Sequence, residues 1–462
     1  MRCSPQILPA LSRRCAGSVL IATLMIAGIL VLTLGGYLWW VRSQNLMVAQ
    51  SQAWSAALAA AEAGIEEGLA QINVSFDTNY LVSLRANWPP NSGGLFGPRS
   101  CTLAGSSYTA FVLVTNPGPT IIATGFASAP VISRPVSRAI QVTTVPAALF
   151  PYALGAQELI SAGGHSVAID SYDSSDPAHS SSGLYYAPLR KAGGDVASAG
   201  GFADLRNGLT LHGKLRTGPQ SDSSLGSGGL VGNLTFPGPG IQPGWYVNDF
   251  NQEFKSVRAP DTRLYVPPIG DAVNKYVLPA SGGYLIHGDL TLDSGETLLV
   301  GANVHATILV TGNVSMEQQS AEGNAPAAIM IQPGGRLVLY VAGPKSDLAS
   351  IQFVNHPGQP SDFQYFGLPT NANVTWISDS SIAGNTNFVG LLYAPQAQVT
   401  LGATGEAHTG FHHHGGTLAC DYQGSCMART ITLNGPMNFH YDEALKRAGP
   451  ACGFVVTTWR EL

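Results

Sequence analysis

The densest set of potential ligands in the chain is Glu406-Ala-His408-Thr-Gly-Phe-His412-His413-His414. On a strand, His412 and His414 project to one face and could share a metal, with His408 completing a three-nitrogen site. The alternative is a solvated loop, because these histidines stand between glycines and no outer partner that would orient an imidazole is visible. A divalent metal here is the one cofactor the sequence offers. Asp170, Asp173 and Asp176 recur at every third residue, a spacing that suits Ca²⁺ binding or acid–base cleavage of polysaccharide. Ser, Asp and Pro at this density are also ordinary turn residues, and the Asp and Gly alternation of an EF-hand is absent. Asp442 and Glu443 precede what reads as a short final helix, where acids in a first turn complement the helix dipole. No nucleophile elbow, phosphate loop or zinc-protease signature occurs, so the chain reads as a non-enzyme.

Six cysteines remain to be placed. Cys3 and Cys15 precede a long apolar run, whereas Cys101, Cys420, Cys426 and Cys452 follow it. In an oxidising compartment Cys420 and Cys426 are expected to pair around the loop 421–425; two unpaired small residues are the alternative.

These groups hang on a composition poor in charge. Only 11% of the 462 residues are charged, and 54 glycines with abundant Ser, Thr and Asn take their place, a profile that suits short strands between tight turns. The net charge of -5 and the absence of a Lys/Arg run exclude a nucleic-acid partner.

From Gly17 to Val41 there is no charged residue, and Val19 to Val41 is long enough for about 30 Å of hydrocarbon. Arg13 and Arg14 precede this run, and Tyr37, Trp39 and Trp40 stand near its far end. The positive-inside bias and aromatic belt predict a single-pass helix with its N-terminus in the cytoplasm. A secretory signal fits less well, since the run is too long and ends in Trp-Trp-Val-Arg without a small cleavage site. The helix is predicted to continue through Gln44 to Ile72, with Trp54, Leu58, Ala61, Ile65, Leu69 and Ile72 as one apolar stripe for packing against a neighbour.

Arg13-Arg14-Cys-Ala-Gly17-Ser18, the apolar run and Ala60-Ala61-Glu62-Ala63-Gly64-Ile65-Glu66 together resemble the PilX-type N-terminal segment of pilus-assembly proteins, within the type IV pilin and pseudopilin class. The resemblance covers roughly residues 13 to 73. It implies a basic leader clipped by a prepilin peptidase between Gly17 and Ser18, and a helix that packs with other pilin-like subunits. Major pilins carry Glu at the fifth mature position; here it is Ala22, as in atypical or minor members. A plain signal anchor with a helical stalk is the alternative.

Beyond Ile72, the stretch Trp88-Pro89-Pro90-Asn91-Ser92-Gly93-Gly94 breaks the helix. Tyr108 to Val114, Thr120 to Thr124 and Ala139 to Val145 then predict a three-stranded antiparallel meander. After Phe150 a turn residue recurs behind glycine in Gly194-Asp, Gly232-Asn, Gly288-Asp and Gly312-Asn, each before an alternating strand. Short strands so spaced need stacked neighbours, which predicts a parallel β-solenoid, with a β-sandwich as alternative. Tyr186-Ala-Pro188 and Tyr393-Ala-Pro395 suggest corresponding rungs. Ile169 to Pro177, Leu392 to Pro395 and His440 to Leu445 are similar to β-rich domains that follow pilus-type N-termini in bacterial envelope proteins, a resemblance that implies no activity.

The expected architecture is therefore mainly β: a leader at 1–17, a transmembrane and stalk helix at 18–73, a small β meander at 74–147, a β-solenoid at 148–446 and a tail at 447–462. The expected role is a structural or assembly component of a type IV pilus-like or secretion-pseudopilus system in the bacterial inner membrane, its C-terminal domain periplasmic or extracellular. A permanently anchored adhesin or polysaccharide-binding protein is the second reading, and a β-helix carbohydrate enzyme the third. The expected partners are the membrane, other pilin-like subunits, the prepilin peptidase, and a surface polysaccharide or protein.

Overall fold

The computed structural model describes the chain outside residues 1–15, 75–79, 130–133, 163–166, 201, 206–208, 220, 226–227, 317–326, 349–351, 356–357, 380–386 and 405–419. It is mainly β, with one long N-terminal helix, and divides into two compact units. The first comprises the helix, residues up to Val145 and the last nine residues from Phe454; the second comprises Pro146–Gly453.

In the first unit α1 (Ala16–Ile72) runs 57 residues without a proline. Its N-terminal half is long and apolar enough to cross a membrane, and that stretch is uncovered: Leu24, Leu32 and Trp39 are each about 70% exposed or more. From Ala53 onward one face is buried. That face is Ala53, Ala57, Ala60, Ala61, Gly64, Ile65, Gly68 and Ile72, about one position away from the predicted stripe. Trp54 lies outside it, with the Arg138 guanidinium 4.7 Å from its ring, and Leu58 and Leu69 are half-buried at its flanks. The shift follows from sterics. A Cβ added at Gly64 would come within 2.9 Å of the Ala123 Cβ, and one at Gly68 within 2.7 Å of Ile121 Cγ2. Only the small residues allow this approach; Ile65 and Ile72 then each contribute about 2 kcal/mol of apolar burial.

The neighbour the helix packs on is its own sheet. β1 (Leu95–Leu103), β2 (Ser106–Leu113), β3 (Thr120–Ala127) and β4 (Val136–Ala148) pair antiparallel in sequence order. The expected meander of three strands thus gains one at its start and another at its end. Residues 447–462, expected to be a tail, supply a fifth strand, Ala451–Glu461, beside β4. Leu462 N–H donates to Ala139 O at 3.0 Å, and the Asn73 side chain clamps the backbone of Phe454 from both sides. β-branched and aromatic residues at 454–459 form a strand where a partner edge exists, which a local reading does not reveal.

The second unit is built from large parallel sheets. One ladder runs through Gly282–Ile286, His305–Val310, Arg336–Val341 and Phe363–Gly367 to the long strands Asn387–Thr404 and Cys420–Asn434. It continues into the start of β5 (Leu154–Ala162), Val196–Ser198, Leu215–Thr217 and Tyr246–Val247. A second ladder takes Leu290–Leu292, Val314–Met316, Lys345–Asp347 and Asn373–Asp379, then the far ends of the two long strands and of β5. A third pairs Tyr276–Leu278, Thr297–Val300, Ala328–Ile331 and Gln352–Asn355. Another stretch of parallel pairing joins Cys420–Asn434 to Met437–Asp442, β6 (Val167–Tyr172) and Thr210–Leu211.

The recurrent glycine is explained at the corners. Gly312 N–H donates to Gly288 O and Gly343 N–H to Gly312 O, and a Cβ on Gly312 would lie 2.5 Å from the Gly288 carbonyl carbon. The residue after the glycine binds the next strand in the ladder at Asp289, which accepts from Asn313 N–H at 2.7 Å, and at Asn313, which accepts from Lys345 N–H at 2.9 Å. Asp195 does the same for Lys214, whereas Asn233 accepts from its neighbour Leu234 N–H. Two expectations about this unit fail. Tyr393 is buried in a strand while Tyr186 is an exposed residue preceding a short 3₁₀ turn, so they are not equivalent rungs. Cys420 and Cys426 lie on one extended strand six positions apart, roughly 20 Å at strand rise, and Cys426 is a free, buried thiol; no disulfide joins them.

Candidate functional site

The chain order of the ladders is discontinuous, and this positions the site. Strands 196–198, 215–217 and 246–247 pair on one side of β5, residues 248–275 run back along the first ladder to the bridge between Val266 and Tyr284, and the ladder that starts at 282–286 reaches β5 from the other side through 420–434. Phe250, Phe254 and Val257 hold the returning segment down, and Tyr393 Oη donates to Lys255 O at 2.8 Å. The two halves meet at a seam where Cys426 registers with Leu154, Ile431 with Ile160 and His440 with Asp170.

Alternation sets which side chains meet across it. On β6, Val167 and Ile169 turn into the core; Met437 and Phe439 do so on the facing strand. The intervening residues, Asp170 and Tyr172 opposite His440 and Asp442, therefore share the other face. His440 Nδ1–H donates to Asp170 Oδ1 at 2.6 Å, and Tyr185 Oη donates to Asp170 Oδ2 at 2.9 Å. The Tyr185 ring stacks on the imidazole with centroids 3.6 Å apart, and Asp421 Oδ1 lies 3.9 Å from His440 Nε2. Burial opposes the imidazolium, yet the hydrogen bonds and charges of Asp170 and Asp421 outweigh it, so the His440 pKa is raised. Burial first, then the neighbouring Asp170, pushes the Tyr185 hydroxyl up as well.

A second group of contacts extends the seam. Arg447 Nη2 donates to both oxygens of Asp173 at 2.8 and 2.7 Å, and Lys191 Nζ meets Glu443 Oε2 at 2.5 Å. Ser174 donates its N–H and hydroxyl to Asp442, which also accepts from Ala444 N–H. Burial alone would raise the Asp173 pKa; the hydrogen bonds of Ser175 and Arg447 reverse this and lower it. Asp442 stays raised, because burial dominates there.

The three aspartates predicted as a set do not converge. Asp170 faces His440, Asp173 faces Arg447, and Asp176 closes a turn by accepting from Ala178 N–H at 2.9 Å. Asp442 and Glu443 bind across the seam instead of lying in the first turn of the helix Leu445–Ala448. No group of three or more metal-ligating side chains occurs among the described residues, and His408, His412 and His414 lie outside them. Gly17 and Ser18 fall in the first turn of α1. His440, Lys191 and Arg447 were not singled out as site residues, since their partners stand about 250 to 275 positions away and share no local pattern with them; Tyr185 lies only 15 residues from Asp170 but stacks on the distant His440. What the arrangement does chemically is hold: His440, Arg447, Lys191 and Ser174 each reach a carboxylate on the opposite side of the seam, and Tyr185 and Ser175 complete Asp170 and Asp173 from their own side.

Residues 257–448 match a family model described as a domain of unknown function (DUF7305). That range takes in the strands from Tyr276–Leu278 to Met437–Asp442, the C-terminal side of the seam. No curated protein matches the sequence. Among solved structures, the competence-associated pilin ComZ of Thermus thermophilus is similar at 10% identity with a TM-score of 0.18, covering 88% of this chain and 97% of that one. The DUF3494 domain of ice-binding protein 1 of Shewanella frigidimarina is similar at 13% identity and a TM-score of 0.20, over 65% and 98% of the two chains. At these values the function has to be argued from the chain's own residues.

Proposed function

We propose that this chain is a non-enzymatic structural or assembly component of a type IV pilus-like or secretion-pseudopilus system, anchored by α1 in the inner membrane and displaying a β-solenoid outside the cytoplasm. One observation carries the reading: α1 is a single helix of two kinds. Its first half is apolar and uncovered, while its second half is fastened to a sheet through Ala and Gly. A soluble fold would bury the first half; a bilayer or a bundle of like helices covers it equally well, as assembly from membrane to filament requires. The stacked parallel ladders support the solenoid, and the fully engaged carboxylates of the seam support a scaffold over a catalyst. The pilus-type segment adds the partners: a prepilin peptidase acting at Gly17 and other pilin-like subunits along α1.

Mass spectrometry of the mature N-terminus tests this. A start at Ser18 is expected; an intact Met1 or Arg2 contradicts it. Ala22 favours a second reading, a permanently anchored adhesin or polysaccharide-binding protein, because it lacks the carboxylate of major pilins at that position.

A further inference from the structure

The outward side of the second ladder carries an unusual regularity. Its inward residues are the core: Leu290, Val374, Trp376, Val399, Leu401 and Ile431 are buried. At the one outward position between them, Thr291 registers with Ser315, Ser315 with Asp347 and Asp347 with Thr375. The same column continues from Thr375 to Thr400, Thr432 and Ser161. A short hydroxyl or carboxyl thus repeats at every rung across the seam, about 4.8 Å apart. Two residues back along each strand, roughly 7 Å away, Asn373, Gln398 and Thr430 form a parallel column in the same register. Lys345 and Asp347 sit side by side at 3.9 Å and neutralise one another, so this part of the lattice is almost free of net charge.

Neutrality and spacing together choose the partner. Leu159, opposite Thr430, and Ile377, two residues beyond Thr375, are isolated apolar side chains beside this polar lattice, and Lys345 is paired with Asp347, so neither a broad apolar patch for a lipid or a protein hot spot nor a cluster of cations for phosphates is built here. Hydroxyls and amides both donate and accept, and parallel stacking fixes their separation before any ligand arrives. We propose that this face is a docking surface for a neutral polysaccharide, whose own hydroxyls repeat along the chain. The proposal rests on the polysaccharide-binding reading of the anchored protein and assigns that reading a place.

The test uses the full-length protein in lipid nanodiscs, sedimented with microcrystalline cellulose and with chitin. Depletion by at least one of them is expected. The triple variant Thr375→Lys, Thr400→Lys, Thr432→Lys should weaken that binding at least tenfold with its β circular-dichroism spectrum retained, its melting temperature falling because the three charges stand in register. Thr307→Lys, on the first ladder, should leave it intact. Equal binding by the triple variant overturns the proposal and moves the glycan site elsewhere, leaving the adhesin reading standing. Absence of binding to both polymers by the unaltered protein overturns the proposal and the polysaccharide reading together. If the triple variant does not fold, Thr400→Val with Thr432→Val, which keeps β propensity and removes the hydroxyls, is expected to reduce binding several-fold.

Discussion

At the residue scale, the seam makes stability depend on pH at both ends. The folded pKa of His440 is raised, so its contribution is complete below the unfolded value, about 6.5, and is lost as pH rises through the folded value. Asp173 has a lowered pKa; its contribution is complete above the unfolded value of about 3.9 and is lost as pH falls through the folded one. His440→Gln should therefore flatten the decline in melting temperature on the alkaline side and leave the acid limb in place, which thermal scans from pH 4 to 9 read directly. Arg447→Met removes the bidentate partner of the Asp173 carboxylate and leaves it, in a mostly buried position, with Ser175 and with the Lys191 ammonium at 3.9 Å. A loss of about 1–3 kcal/mol is expected, with the acid limb moved to higher pH. These residues show the limit of reading a sequence locally. Asp170, Asp173 and Asp176 stood out by spacing, but spacing says nothing of a histidine and an arginine some 270 residues away. The cysteine pair failed for the reverse reason: closeness in sequence becomes distance once the intervening residues are extended.

At the element scale, glycine marks where backbones touch. A Cβ on Gly125 would fall 2.0 Å from Ala57 O, so Gly125→Ala must push α1 off β3. Its expected cost is about 1–3 kcal/mol, seen as faster hydrogen exchange in β3 and in residues 53–72 with the second unit unaffected. Gly312→Val meets the Gly288 backbone and the Asp289 carboxylate, and should loosen the pairing of 282–292 with 305–316. The helix and the strands 297–300, 328–331 and 336–341 were legible because apolar period and turn residues agree there. Strand Ala451–Glu461 was not, because its partner β4 precedes it by about 300 residues. Likewise the apolar stripe of α1 was read from its large residues, whereas the helix packs through its small ones.

At the scale of the whole molecule, the antiparallel sheet packs on the second half of α1 and takes its fifth strand from Ala451–Glu461. Closing that sheet therefore waits on a strand from the far end of the sequence, and deletion of residues 451–462 should expose β4 and make the first unit sensitive to protease while α1 still partitions into membranes. The central claim is that α1 first anchors the chain and then enters an assembly. It is tested most directly by shearing surface filaments from cells of the native host that express either the unaltered protein or Gly17→Leu. The unaltered protein is expected in the sheared fraction, beginning at Ser18, and the variant in the membrane with its leader intact. Finding both proteins in the membrane alone, each with an uncut N-terminus, would contradict it.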